Sequence, residues 1–315
     1  MKHKIRNTVF MTTLAVGCLH IINKCIITTS TLKDLLPMHS GKFYNWRFGR
    51  VFYRKSGSGR PLLLIHDLSS SSSSYEWNQL EQHLAKDYTV YTLDLPGCGR
   101  SDKPNLTYTN YLYVQLINEF IEKVIKGRTS VAATGLSGSF VIMACNTNPD
   151  LYDKLLLINP QDLQTLSKIP GKRSKMAKLL IDCPIIGTSL YHMFTSRNAI
   201  EHDFMEHYFY NPFNVKKRPV NIYYEAAHRN ESCGKYLYAS LKGHYLNINI
   251  SHALKKIDNS IFLIGGSHEH SITEIMDSYV ELNPAIETMV IEKTKHLPQM
   301  EAPEKVYKAM RIFLS

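Results

Sequence analysis

The chain has 315 residues, of which 44% are hydrophobic, enough for one large α/β domain with an insertion or for two ordinary domains. Its net charge of +10 is spread along the chain with no dense Lys/Arg block, which argues against a nucleic-acid interface. The six cysteines form no C-x-x-C pair or regular framework, so neither a zinc site nor a disulfide scaffold is indicated.

Residues 1–40 read as a membrane anchor and linker. A basic lead, M-K-H-K-I-R, precedes a mostly apolar run that starts at Thr8. His20, Asn23 and Lys24 fall within the roughly 20 residues a bilayer requires. Lys24 can snorkel, and a basic end held in the cytoplasm predicts a catalytic domain outside. Two other readings compete: a lipoprotein-type cleavage site in A-V-G-C, Ala15 to Cys18, and an amphipathic helix lying on the domain.

From residue 41 the pattern is that of an α/β domain. K-F-Y-N-W-R-F and R-V-F-Y-R-K predict a strand pair, and P-L-L-L-I-H a buried strand. Ser69 to Ser74, six serines in a row, has the composition of a flexible loop. T-V-Y-T-L-D-L, S-V-A-A-T and K-L-L-L-I-N are further strands. They alternate with helical patterns such as N-Y-L-Y-V-Q-L-I-N-E-F and F-V-I-M-A-C-N. Alternation of this kind predicts a mostly parallel central sheet with helices on both faces. It lapses over 161–254, where K-M-A-K-L-L-I-D and H-D-F-M-E-H-Y-F-Y suggest helices, and resumes with S-I-F-L-I-G-G. The expected organisation is a core of 41–160 and 255–315 with an inserted helical cap, 161–254.

The candidate chemistry centres on T-G-L-S-G-S, where a strand ending at Thr134 must turn into a helix starting near Phe140. Small residues let such a turn form, and a serine at its apex would project its hydroxyl at the helix N-terminus. Ser137 is the candidate nucleophile. It needs a base and a carboxylate to orient that base, in the chain order Ser, Asp or Glu, His. His296, between the last strand and the last helix, is the candidate base. Glu269, beyond the strand ending at Gly266, is the first choice of acid, with Asp162 as the alternative. The N–H groups of Gly138 and Leu68 are the expected oxyanion donors, with His66 and Asp67 shaping the turn.

Together L-L-L-I-H-D-L, Y-T-L-D-L-P-G-C-G-R-S-D-K-P, T-G-L-S-G-S, F-L-I-G-G-S-H-E and K-H-L-P-Q-M-E-A-P-E resemble the α/β-hydrolase superfamily. The closest likeness is to its capped branch of esterases, carbon–carbon bond hydrolases, iminopeptidases, haloperoxidases and epoxide hydrolases. The resemblance implies a Ser137–His296–Glu269 triad that cleaves an ester or related acyl bond of a small, apolar substrate through an acyl-enzyme. It calls for no metal or organic cofactor. A serine at 137 disfavours the carboxylate-nucleophile mechanism of epoxide hydrolases. Three positions depart from the family pattern: Asp67 stands where glycine usually follows the histidine, Ser139 replaces the last glycine of the turn, and Lys295 replaces the glycine before His296. A catalytically silent relative that binds a small ligand or partner in the cap cleft is the alternative reading.

Overall fold

A computed structural model describes residues 2–315; Met1, the first residue of the basic lead, lies outside them. Eight strands form one sheet in the order β1-β2-β4-β3-β5-β6-β7-β8. β1 (Lys42–Trp46) and β2 (Gly49–Ser56) are the expected antiparallel pair, and β2 also pairs antiparallel with β4. β3 (Arg60–Ile65), β4 (Tyr88–Leu93), β5 (Thr129–Thr134), β6 (Tyr152–Ile158), β7 (Ile261–Gly266) and β8 (Glu287–Ile291) run parallel.

The central strands have no polar face because both faces are covered. Leu62 to Ile65 of β3 are all fully buried, with Leu63 and Ile65 in one apolar cluster and Leu62 and Leu64 in the other. One face carries α3 (Asn110–Phe120), α4 (Ser137–Thr147) and α12 (Ile272–Leu282); the other carries α2 (Asn78–Leu84) and α14 (Pro303–Leu314). Tyr113 of α3 stacks on Phe140 of α4 with centroids 5.1 Å apart, joining the two helices over the sheet. A short helix, α13 (Pro298–Glu301), precedes α14.

β6 and β7 are neighbours, so the helical segment between them leaves the sheet and returns to the adjacent strand. It contains α5 (Leu163–Leu166), α6 (Lys172–Asp182), α7 (Ile186–Phe194), α8 (Arg197–Asp203), α9 (Lys217–Ser232), α10 (Gly234–Lys242) and α11 (Ser251–Leu254). Its last part is not a free lid, since Leu237, Leu246, Ile250 and Leu254 belong to the main apolar cluster. α1 (Lys2–Ser30) packs its second half on α7 and α9.

The serine run is not a flexible loop. Ser70, Ser72, Ser73 and Ser74 are buried, and the run is held by the Asp94–Arg100 ion pair. Asp94 Oδ1 accepts the Ser74 N–H at 2.8 Å, Arg100 Nη2 donates to Ser74 Oγ at 2.9 Å, and the Gly99 N–H donates to Ser72 O at 3.1 Å. Composition misleads here because the hydroxyls of Ser69, Ser72, Ser73 and Ser74 find partners within the fold that a solvated linker would not have. Burial alone would raise the Asp94 pKa, but the Arg100 guanidinium outweighs it and holds the carboxyl far below the usual carboxylate range.

Removing Arg100 leaves that carboxylate buried and unpaired. Arg100→Met is expected to lower unfolding stability in urea by about 3–5 kcal/mol. Because the folded pKa of Asp94 is depressed, its contribution is present above the unfolded value and is lost as the pH falls. Wild-type stability should therefore decline below about pH 4.

Candidate active site

The turn after β5 leaves the strand at Thr134 as expected, but its apex lies two residues earlier than the sequence suggests. Gly135, at φ +55°, is the residue in the left-handed region, whereas Leu136 is already helical at φ −60°, ψ −31°, and α4 begins at Ser137 rather than near Phe140. The apex of the elbow is thus Gly135, which has no side chain, and Ser137 lies in the first helical turn.

Ser137 is fully buried and its hydroxyl donates to the backbone oxygen of His66 at 2.7 Å. No hydrogen bond links it to His296 among the described residues. The expected nucleophile is therefore not joined to the expected base in this geometry. The expected donor Gly138 is likewise turned inward, its N–H going to Gly135 O at 3.2 Å.

The space at the apex is occupied by Asp67. A Cβ on Gly135 would lie 2.3 Å from Asp67 Oδ1, so the aspartate fills the volume that a side chain at the apex would need. Asp67 Oδ1 accepts the Leu68 N–H at 2.7 Å and the Leu136 N–H at 3.0 Å. These are the residue after Asp67 and the residue after the apex, the two backbone donors that face the elbow. Of the two N–H groups expected from sequence, Leu68 is one that meets Asp67 Oδ1; the other that does so is Leu136, not Gly138.

His296 faces the other oxygen. Its Nε2 is 3.0 Å from Asp67 Oδ2 and its Nδ1 is 3.3 Å from Glu269 Oε1, so one imidazole bridges two carboxylates. Asp162 does not take part in this pairing. It caps α5, accepting the N–H groups of Gln164 at 3.2 Å and Thr165 at 2.9 Å, and its carboxylate shares with Glu269 and His296 an open cleft of about 740 Å³.

Several residues with no motif of their own support this arrangement. Asn159, buried at the end of β6, donates through Nδ2 to the backbone oxygens of Lys295 and His296, each at 2.8 Å, and accepts the Gly266 N–H at 2.8 Å. It ties the loop carrying the histidine to the strand that leads to Glu269. A Cβ on Gly266 would sit 2.1 Å from Lys295 O, so only glycine permits that approach. Lys295 is held by Glu301 through its N–H at 3.1 Å, and Tyr208 stacks on the His296 ring at 5.7 Å. His66 is buried and accepts the Leu95 N–H at 3.0 Å through Nε2. Its Nδ1 therefore carries the proton and donates to Asp67 O at 2.7 Å, which fixes the loop.

The charges follow from these contacts. Burial by itself lowers the His296 pKa, but its hydrogen bonds to Asp67 and Glu269 outweigh this and raise it to about 10. Burial would raise Asp67, yet His296 and the two backbone N–H groups bring it below the usual range. Glu76, 1% exposed, accepts the Asp67 N–H at 3.0 Å and the Tyr223 hydroxyl at 3.1 Å. Burial, and then the Asp67 charge, push its pKa up to about 8, so at neutral pH it is mostly uncharged. The contacts favour an aspartate–imidazolium pair, with Glu269 on the far side of the ring.

Because the folded pKa of His296 is raised, the stability it contributes is fully present below its unfolded value near 6.5 and is lost as the pH rises through about 10. An imidazole NMR titration should show His296 protonated well past pH 8 and shifted down in Asp67→Asn. A wild-type midpoint near neutrality would rule out the pair.

Comparison with known proteins agrees with this fold. Over 110 residues the chain is 31% identical to an uncharacterised protein of Mycobacterium bovis, a match covering 35% of this chain and 32% of that one. The chain thus spans about a third of the length of the first curated relatives it matches. It is 26% identical over 300 residues to a proline iminopeptidase of Heyndrickxia coagulans, covering 88% of this chain and 99% of the relative. The solved structure of a serine hydrolase involved in carbazole degradation superposes with a TM-score of 0.72 at 18% identity, over 87% of this chain and 98% of that one. The family model described as alpha/beta hydrolase matches residues 62–309, from β3 into the last helix, and the chain belongs to that family.

Proposed function

We propose that this hydrolase uses Asp67 as its nucleophile, served by His296 and Glu269, on a small apolar substrate with an electrophilic sp³ carbon bonded to oxygen. A strained cyclic ether such as an epoxide is the class that fits best. The observation that carries the reading is the position of the Asp67 carboxylate, with Oδ1 on the Leu68 and Leu136 N–H groups and Oδ2 beside His296 Nε2.

The charge state argues for that substrate. An imidazolium cannot accept a proton from an attacking hydroxyl, but it can give one to a leaving oxygen. Asp67 Oδ2 attacks the carbon, the carbon–oxygen bond breaks, and the departing oxygen takes the Nε2 proton. This step gives an alkyl ester of Asp67 and neutral His296. With the aspartate charge gone, the support for the imidazolium weakens, and His296, oriented by Glu269, can accept a proton from water. The hydroxide adds to Asp67 Cγ, and the Leu68 and Leu136 N–H groups hold the resulting oxyanion. Collapse expels the product oxygen, which recovers the proton from His296. The Asp67 carboxyl then returns its own proton to the imidazole, and the net reaction adds one water across the carbon–oxygen bond.

The sequence-based reading, an acyl-enzyme on Ser137, requires the oxyanion hole to be vacant and the Ser137 hydroxyl to leave His66. The catalytically silent reading draws on the fact that both oxygens of Asp67 already have partners. The N-terminal helix supports a membrane tether with the catalytic domain on the extracytoplasmic side, in keeping with the basic residues at its start.

Turnover in oxygen-18 water distinguishes the three. With an epoxide panel, the peptide carrying Asp67 should gain the heavy isotope, Asp67→Asn should lose roughly a thousandfold or more in kcat, and Ser137→Ala should stay within about threefold of wild type. Ester hydrolysis abolished by Ser137→Ala but kept in Asp67→Asn would restore the acyl-enzyme. No turnover of either class would favour the silent relative.

A further inference from the structure

We infer that the α6–α7 end of the cap is seated in the membrane interface beside α1, immersed in the leaflet rather than held above it. This rests on the membrane reading of α1. The stretch Lys4–Ser30 is long and apolar enough to cross a bilayer and is almost wholly exposed in the structure. From Arg6 to Lys24, the charges that bracket its apolar part, a helix rises roughly 27 Å, close to the ~30 Å of a hydrocarbon core.

The protein does not wait until Lys24 to meet this helix. Residues 4–15 are exposed all round, but Val16 and Leu19 are already half-buried, Asn23 is buried and Ser30 is buried, a stripe that packs on α7 and α9. Asn23 fixes the register: Nδ2 donates to Ile185 O and Ser189 Oγ, each at 3.0 Å, and Oδ1 is 3.1 Å from Nδ1 of the buried His192. If Lys24 marks the bilayer boundary, Val16 lies two turns deeper, and protein packed beside it reaches roughly 10 Å into the leaflet.

The surface of that end of the cap suits such a position. Met176 (71% exposed), Leu179 (69%) and Leu180 (51%) on α6, and Ile186 (51%) and Met193 (68%) on α7, turn large apolar side chains outward. Lys172, Arg173 and Lys175 are exposed on the first turns of α6, where anionic headgroups would meet them. A membrane is a better occupant for this face than a protein partner because the face is continuous with a helix that itself needs lipid. The seat also gives a lipid-soluble substrate a route. A cleft of about 480 Å³ runs from Phe194, at the end of α7, to Ser69 and to Tyr208, which stacks on His296.

The test uses the full chain in vesicles of phosphatidylethanolamine and phosphatidylglycerol with brominated acyl chains. Cys18, Cys25, Cys183 and Cys233 are replaced by alanine, and single cysteines bearing a bimane are introduced as Phe10→Cys, Leu180→Cys, Met193→Cys and Met289→Cys. Bimanes at 180 and 193 should lose fluorescence to the bromines to an extent comparable with position 10, while position 289, on β8 at the far edge of the sheet, should not. Quenching at 10 without quenching at 180 and 193 would overturn the seated cap and leave the anchor intact. Quenching at none of them would overturn the anchor itself.

Discussion

The contact on which the site depends is the double engagement of the Asp67 carboxylate. One oxygen sits on two backbone N–H groups and the other on an imidazole. A carboxylate held this way is stabilised as an anion, and it in turn stabilises the imidazolium, so neither group has its free-solution character. The glycine at the elbow belongs to the same constraint. Because a Cβ at 135 would collide with Oδ1, an aspartate at 67 and a side chain at 135 exclude one another, and the carboxylate reaches the centre of the site from the loop after β3.

Around that contact the fold works as a positioning device. Four parallel strand ends, those of β3, β5, β6 and β7, contribute Asp67, Gly135, Asn159 and the loop to Glu269. Asn159 joins the end of β6 to Gly266 of β7 by one hydrogen bond and to the loop carrying His296 by two, and Glu76 accepts the Asp67 N–H. With Glu76 largely uncharged, Asp67 is spared a second buried anion next to it, which favours an ionised Asp67.

The N-terminal helix is joined to the helical segment between β6 and β7. Asn23 is a polar residue within an apolar helix, and its side chain is satisfied by α7 and its N-terminal turn. A buried amide with three partners is costly to remove and specific in register, so α1 is more than a flexible leash. α1 and the helical segment it contacts are therefore held in one register, so the direction in which the N-terminal helix leaves the domain is fixed by the fold.

How much of this was legible in the sequence varies with the physical origin of each feature. Alternating apolar runs and helical periodicities fixed the sheet and the helical segment within it, because burial on one or two faces writes directly into residue order. The histidine and glutamate could be found for the same reason, each lying just past a recognisable strand. The elbow could not. Ala133-x-Gly135-x-Ser137 and Gly135-x-Ser137-x-Ser139 are equally good patterns of small residues, and which residue takes φ > 0 is decided by where β5 stops pairing and α4 starts. The departure at Asp67 was visible as an oddity. Its meaning was not, since only the tertiary structure brings the loop after β3 against the turn after β5 and closes the carboxylate onto N–H groups from both. The sequence by itself determined the family, the core and the pairing of His296 with Glu269. The packing of non-adjacent loops decided which side chain stands in front of that pair.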